Sequence, residues 1–541
     1  MASEKAESSL DFTVERYIEA IIPKKAHGLI LSLAGVCALF SVILIHQRNR
    51  LGFIGLPLDD SWIHLSIARN FISGDGFGIN PGRNLAASTA PLWTLFEAIV
   101  MLIVRDPVWC GVVSGFLASL AGCLVLWRFF SPLNYPLLFG FVSICYLLSD
   151  ALTVWGFPSG MEIPLLYAFM FSLFWTYCFY PPLSMARLFL APLLHGAVFM
   201  TRPETGFLFG LTLISTAFAA VKAKKSPLKV ASIQLCVFAL SLLPYFWFNF
   251  ETVGKPFPTT FYAKVSLRHI GLSGLFLKLS WDSFVKVFAL HPLQEYFRVI
   301  RYITLYHLPM VFFSPLGALF LSKRRDIYAG GGLMPSLGFL LFPLVVGVVS
   351  PTSAFSNAVH RYYAVYIPFI VILGSLGIYA AVELFGRKAF VFVLAVLLVF
   401  YSAPRRFNAG LHELTRNVLT AKELYVDMAK WLSKNLPQES LLAVNDIGAV
   451  SYYLRRPVID IMGLASPEVW DYKKRALRHR MESKLKGFLK KMRVDYLLVN
   501  PNYYPYMLKL LKNCTEIKRW HTSVPIKRLI SPQVLYKCVW R

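Results

Sequence analysis

Two adjacent carboxylates, Asp59 and Asp60, stand in the stretch Leu58-Asp59-Asp60-Ser61-Trp62-Ile63-His64. Side by side they repel, so the pair titrates as a unit with one proton held above the ordinary carboxylate range. Such a group suits a general base that takes a proton from a hydroxyl. The plainer reading is a helix N-cap, where Asp is favoured, and one Asp suffices for that. The second Asp, beside Trp62 and His64, is what points to chemistry. Two adjacent carboxylates can also hold Mg²⁺ with waters. Apart from that divalent cation, no cofactor or metal site is expected, because no CxxC or Cys/His metal spacing occurs.

A glycine-rich stretch follows, Gly74-Asp75-Gly76-Phe77-Gly78-Ile79-Asn80-Pro81-Gly82, and then Ser88-Thr89-Ala90-Pro91-Leu92-Trp93. The glycines permit turns that other residues resist. The stretch reads as an ordered external loop returning to the membrane. It is no phosphate loop, since GxxxxGK[ST] and its strand context are absent.

The elements that must position these residues are apolar. The 541 residues are 56% hydrophobic and 16% charged, with a mean hydropathy of +0.55. A soluble domain of this size does not hide that much apolar surface. Apolar runs lie at about 28–46, 90–104, 109–127, 133–152, 161–180, 187–200, 205–221, 230–250, 303–321, 333–350, 363–383 and 389–404. A spanning helix needs roughly 20 such residues. The expected fold is an α-helical polytopic membrane protein: a cytoplasmic tail over 1–27, a membrane domain over 28–404 with external loops at 47–89 and 251–302, and a small extracytoplasmic α/β domain over 405–541.

Charge orients the spans. The net charge is +26, and much of the basic excess flanks the runs, at Lys24-Lys25, Lys222 to Lys229, Lys323-Arg324-Arg325 and Arg387-Lys388. That is the positive-inside pattern, so nucleic acid is not the expected partner; membrane lipids are. Twelve full spans would put the tail on the inner side, against Arg387-Lys388. Run 187–200 is short, contains His195 and leads straight into Thr201-Arg202-Pro203-Glu204, so it is read as re-entrant or partly spanning, leaving eleven spans. Merging two runs between 90 and 152 is the alternative. After residue 404 the apolar runs shorten to Leu441–Val444, Pro457–Ile461 and Tyr496–Val499, with helical stretches around 415–435, 467–492 and 503–513. This alternation predicts the α/β domain. Six cysteines lie in apolar runs; Cys514 and Cys538 lie in the tail and pair if it faces an oxidising compartment.

The order Asp59-Asp60, Ala68-Arg69-Asn70, Gly74-Asp75-Gly76, Asn80-Pro81-Gly82 and Pro91-Leu92-Trp93-Thr94 resembles the GT-C superfamily of membrane glycosyltransferases, and within it bacterial terminal arabinofuranosyltransferases and their relatives. Ser159-Gly160-Met161-Glu162, Thr201-Arg202-Pro203-Glu204-Thr205-Gly206, Pro258-Thr259-Thr260-Phe261-Tyr262-Ala263-Lys264 and Asp446-Ile447-Gly448 through Gly463-Leu464 fit in matching order. The chain departs from that pattern at Ser66, where relatives carry Arg, at Leu85-Ala86-Ala87, and at Thr259, where they carry Asn.

The resemblance implies transfer of a sugar from a polyprenyl-phosphate donor to a glycan or lipid acceptor of the cell envelope, on the extracytoplasmic face of a bacterial inner membrane. The catalytic role falls on Asp59 and Asp60, one of them the base of an inverting reaction. His64 stands beside them. Arg202, Lys264 and the His360-Arg361 pair are the candidates for the donor phosphate. Plainer readings stand beside these: Arg202 pairs with Glu204, Lys264 snorkels, and Arg361 flanks a span. Glu162 orients a sugar hydroxyl or simply begins a helix. Trp62, Trp93 and Tyr262 are candidates to stack on sugar rings. The alternative function is a transporter or flippase of lipid-linked glycans, for which paired halves would be expected.

Overall fold

The computed structural model describes residues 24–266, 291–349, 358–384, 388–470, 478–502, 504, 514–524 and 531–540. Helix α1 (Lys24–Leu51) is 28 residues long and leaves Leu29, Ile30, Leu33, Val42 and Ile45 exposed along its side. Such apolar flanks belong to a helix solvated by lipid. Helices α2 (Asp59–Ile72) and α3 (Pro91–Met101) belong to the first loop region. Next come α4 (Pro107–Phe130), α5 (Pro136–Leu148), the short α6 (Ala151–Gly156), α7 (Ile163–Phe179) and α8 (Met185–Thr201). A 3-10 turn (Pro203–Gly206) leads into α9 (Phe207–Lys222), followed by α10 (Pro227–Val253), α11 (Thr259–Ser266), α12 (His291–Lys323) and α13 (Leu333–Val349). A second 3-10 turn (Ala358–Tyr366) opens α14 (Ile367–Leu384), and α15 is Lys388–Ala421. Among the described residues, five helices are long and apolar enough to cross a bilayer by length and composition alone, and five more are shorter and apolar. The chain is an integral membrane protein.

The bundle has two ends. At the far end the buried Arg187 donates to the carbonyls of Tyr177, Tyr180 and Gly330, and Tyr328 donates to the Phe129 carbonyl at 2.7 Å. At the near end lie Asp60, Arg202 and Arg361. Among the described residues, eleven helices run between these ends: α1, α4, α5, α7, α8, α9, α10, α12, α13, α14 and α15. The pass expected to turn back, 187–200, instead runs from Arg187 at the far end to Arg202 at the near end. Its suspect residue, His195, is satisfied by Thr212 at 2.7 Å. The run that does not cross is 90–104. Its helix α3 has only 11 residues, about 16 Å. Thr94 in its first turn bonds to His64 of α2, while Arg105 just beyond its last turn faces Lys430 and Tyr452 of the C-terminal domain across a cavity. Both ends of α3 therefore sit at the near end.

Helix α14 is the centre of the bundle, buried from Ile367 to Val382. It packs on α12 with backbone almost touching backbone. A Cβ on Gly377 would lie 1.9 Å from the Phe313 carbonyl oxygen, so only glycine fits that crossing.

Helix α15 carries the chain past residue 405 without a break, 34 residues in all, into the C-terminal domain. A short π-turn (Lys422–Val426) and α16 (Asp427–Asn435) follow. Strand β1 (Leu442–Val444) pairs in parallel with β2 (Ile459–Asp460) and β3 (Tyr496–Val499); β5 (Gln533–Cys538) runs antiparallel to β3 and to β4 (Cys514–Trp520). The order is β2-β1-β3-β5-β4. Helix α17 (Gly448–Leu454) links β1 to β2, and α18 (Arg478–Lys491) precedes β3. Cys514 and Cys538 stand opposite each other in the β4–β5 register and form a disulfide. The first three strands fall where the short apolar runs predict. Strands β4 and β5 were not expected, because β4 is largely polar and both are held by pairing and the disulfide. The helical stretch expected over 503–513 falls almost wholly outside the described residues.

Candidate active site

Helix α2 presents two faces to two different partners. Asp59, Trp62, Ser66 and Arg69 recur at helical spacing, and all four meet α17. The Asp59 carboxylate accepts the main-chain N–H of Gly448 at 2.8 Å and of Ala449 at 2.9 Å. Trp62 packs between Tyr452 and Tyr453, ring centroids 5.3 and 5.4 Å away. Ser66 donates to the Gly448 carbonyl at 3.2 Å, and Arg69 donates to the Tyr452 carbonyl. Ser66 is fully buried, so the Arg carried by the resembling proteins has no room here.

Asp60 points the other way. Its carboxylate, 43% exposed, takes a hydrogen bond of 2.6 Å from Arg361, which opens α14. The Arg361 carbonyl in turn accepts from Arg202 at 2.9 Å. Arg202 ends α8 and pairs with both Glu162, at 3.0 Å, and Glu204, at 3.1 Å. Its guanidinium lies 5.0 Å from the Tyr362 ring. Glu162 stands at the N-cap position of α7 without capping it, because its carboxylate goes to Arg202. Two charged clusters, Asp60–Arg361 and Arg202 with Glu162 and Glu204, are therefore joined through the Arg361 carbonyl, and their residues come from α2, the two 3-10 turns and the cap positions of α7 and α8.

A third carboxylate completes the group. Asp446, just after β1, accepts from Gln533 at 2.6 Å and Asn445 at 2.8 Å. Burial first, then the Asp446 charge, pushes the Asp59 carboxyl up to about 8. Burial also raises Asp446, against the Gln533 hydrogen bond and with the Asp60 charge. Two of the three carboxyls thus hold protons far above the usual carboxylate range. The motif Asp446-Ile447-Gly448 was legible, but its place beside Asp59 was not, since 387 residues separate the two positions.

His64 is buried, 2.8 Å from Thr94 Oγ1 and 3.4 Å from Ser88 Oγ. It ties α2 to the loop and α3. Trp93 is wholly buried and donates to the Gly160 carbonyl, so it offers no face to a sugar. Tyr262 lies against Trp470, with Lys255 over its ring. The side chains of Lys264 and His360 lie outside the described residues. Glu97, inside the run 90–104, was passed over; it is fully buried and within electrostatic reach of Glu162. A carboxylate in an apolar run was its signal.

The glycine-rich loop is clasped by the C-terminal domain. Asn80 exchanges two hydrogen bonds of 3.0 Å with the Val458 backbone, Asn70 donates to the carbonyls of Gly78 and Ile79, and Thr259 donates to the Ala86 and Leu464 carbonyls.

The overall fold has precedents among solved structures. A crystal structure of ArnT from Cupriavidus metallidurans bound to undecaprenyl phosphate superposes with a TM-score of 0.58 at 12% identity, covering 95% of this chain and 98% of that one. The apo state of the same protein gives 0.55 at 14% identity, over 93% and 98%. The chain therefore shares its overall fold with ArnT. The cryo-EM structure of the mycobacterial arabinofuranosyltransferase AftD aligns over 93% of this chain and 40% of its own, with a TM-score of 0.44 at 12% identity. Residues 413–535 match a domain of unknown function (DUF8728). Comparison with curated protein sequences gives no match.

Proposed function

We propose that the protein is a glycosyltransferase that takes a sugar from a polyprenyl-phosphate donor and passes it to a hydroxyl of a cell-envelope glycan or lipid. The observation that carries this reading is the half-exposed Asp60 set against Arg361 and Arg202 at one end of a GT-C fold. The ArnT structure of the same fold holds undecaprenyl phosphate, which supports a polyprenyl-phosphate donor here.

Asp59 and Asp60 then divide the work. Both Asp59 oxygens accept main-chain N–H groups of α17, so Asp59 positions the helix. Asp60 is the base. It takes the proton from the acceptor hydroxyl as that oxygen attacks the anomeric carbon. The bond from that carbon to the phosphate oxygen breaks, and the polyprenyl phosphate leaves with the electron pair. One displacement at one face inverts the anomeric configuration. Arg361 and Arg202 stabilise the charge gathering on the leaving phosphate, as planar guanidinium groups do well. In Arg361, Nε and Nη1 have no acceptor among the described residues, so donors remain for a phosphate.

No metal is needed in this scheme. Asp59 and Asp60 are the residues that would hold a divalent cation, and Gly448, Ala449 and Arg361 engage three of their four oxygens. The Cys514–Cys538 disulfide supports an oxidising, extracytoplasmic setting for the near end.

Purified protein in detergent, given a panel of polyprenyl-phosphate sugars together with envelope glycans and lipids as acceptors, should release free polyprenyl phosphate, with or without EDTA. Asp60→Asn should lower turnover by roughly 10²–10⁴-fold, the range for a lost general base. Full turnover in Asp60→Asn would sink the mechanism. Activity that requires a sealed membrane would instead favour a transporter.

A further inference from the structure

A cavity of about 650 Å³ opens between the first loop, the turn joining α3 to α4, and the C-terminal domain. It belongs to the other end of α17 from the Asp59 carboxylate. The seven residues of α17 separate the two by on the order of 10 Å. Nothing in the scheme above uses it.

Its lining combines two chemistries. Phe53 and Tyr453, both partly exposed, supply aromatic rings. Arg105, Lys422, Lys430 and Arg455 supply positive charge against two carboxylates, Asp106 and Asp427. Both carboxylates are already engaged. Asp106 caps α4 through the Trp109 N–H at 2.9 Å, and Asp427 pairs with Lys422. Among the described residues Arg105, Lys430 and Arg455 have no ion-pair partner, and Lys430 lies 5.2 Å over the Tyr453 ring. Leu102 and Ile103, 55% and 86% exposed, stand beside Arg105, so the mouth is at the bilayer surface. The volume falls within the roughly 300–1,000 Å³ of small-ligand sites.

We propose that this cavity binds an anionic sugar. Its ring lies against Tyr453 and Phe53, and its phosphate or carboxylate lies among Arg105, Lys430 and Arg455. The ring faces alone would suit any apolar guest, and the cations alone any anion; the combination selects a ring that carries a charge. Resting on the glycosyl-transfer reading, the bound unit is a distal part of the acceptor, held while its reacting hydroxyl reaches Asp60. The binding itself does not depend on that reading.

The test is calorimetric titration of the full chain in nanodiscs of neutral lipid with three probes: glucose 1-phosphate, glucose and inorganic phosphate. Glucose 1-phosphate should bind at least about tenfold more tightly than either of the others, and less tightly as salt is raised. K430Q combined with R455Q should cost a further factor of about ten or more. Both side chains are exposed, so the fold should persist, as an unchanged thermal midpoint would show. Y453L should bring glucose 1-phosphate down toward inorganic phosphate. Equal binding of all three probes, or wild-type affinity in the double variant, overturns the proposal.

Phosphatidylinositol added to the nanodiscs identifies the source. Competition by it marks a lipid-borne sugar, and competition only by soluble sugar phosphate marks a free glycan. Release of polyprenyl phosphate from donor supplied together with envelope glycans and lipids as acceptors is measured in parallel. If the probes bind and no donor is cleaved, the glycosyl-transfer reading fails while the cavity assignment stands. If donor is cleaved and the probes do not bind, the reverse holds.

Discussion

Asp60 and Arg361 form one unit, because the carboxylate is half-exposed while the guanidinium beneath it is mostly buried. Arg361→Met removes the cation that the leaving phosphate needs. A hydrogen bond to a charged group is worth about 1.5–3 kcal/mol, so kcat/KM for the polyprenyl-phosphate sugar should fall by about tenfold to a hundredfold. Arg361→Lys should recover only part of it, since a point charge does not reproduce the planar fork. Equal steady-state kinetics in wild type and Arg361→Met would remove Arg361 from the site. The raised carboxyls give a second expectation. Asp59 is pushed up to about 8 and Asp446 to about 6, in each case by burial first. Their unfolded values lie near 4. Between about 4 and about 8 the folded protein binds more protons than the unfolded chain, so stability is fully present below about 4 and falls as pH rises, through about 6 for Asp446 and about 8 for Asp59. The thermal midpoint in detergent should drop across that window, and Asp446→Asn should flatten the drop. A midpoint that climbs over the same range would contradict the pairing of Asp59 with Asp446.

At the scale of elements, the site depends on how α2 docks on α17. A Cβ on Gly448 would stand 2.0 Å from the Asp59 carbonyl oxygen and 2.9 Å from its carboxyl carbon. Gly448→Val therefore separates the two helices and takes the Gly448 and Ala449 N–H groups away from Asp59. Overpacking of this kind costs about 1–3 kcal/mol, and sugar transfer should fall well below wild type while the protein remains folded by circular dichroism. Wild-type turnover in that variant would show that the α2–α17 contact does not position the base. The sequence suggested much of α2: two Asp at its start, then an apolar stretch. It did not show that residues 59, 62, 66 and 69 face a helix more than 380 positions away. Helical periodicity reports that a face is apolar or small, and it carries no information about which element covers it.

For the molecule as a whole, the eleven passes place α3 and the turn after it at the same end as the C-terminal domain. Single cysteines introduced at Arg105 and at Arg455, in a background lacking the free native cysteines, should both react with a membrane-impermeant maleimide from the outer face of intact cells. A cysteine at Arg324 should react only after the membrane is opened. Labelling of positions 105 and 455 from opposite faces would restore run 90–104 as a span. The many apolar helices were legible as runs of roughly 20 apolar residues. Which run stays at one face was not, because 90–104 and 187–200 are similarly short and apolar. What separates them is the far-end contact of Arg187 and the near-end contact of Arg202.

By itself the sequence determined the solvent of the chain, its many apolar helices, the α/β character of the tail and the Asp59-Asp60 motif. Each follows from local composition, periodicity or charge, which neighbouring residues fix together. Only the tertiary structure decided that Asp59 belongs to α17 and Asp60 to Arg361, that Asp446 joins them, and that Glu162 spends its charge on Arg202. Those pairings join residues tens to hundreds of positions apart. They are set by which helix ends meet at one end of the bundle, where buried charges must find partners or remain protonated.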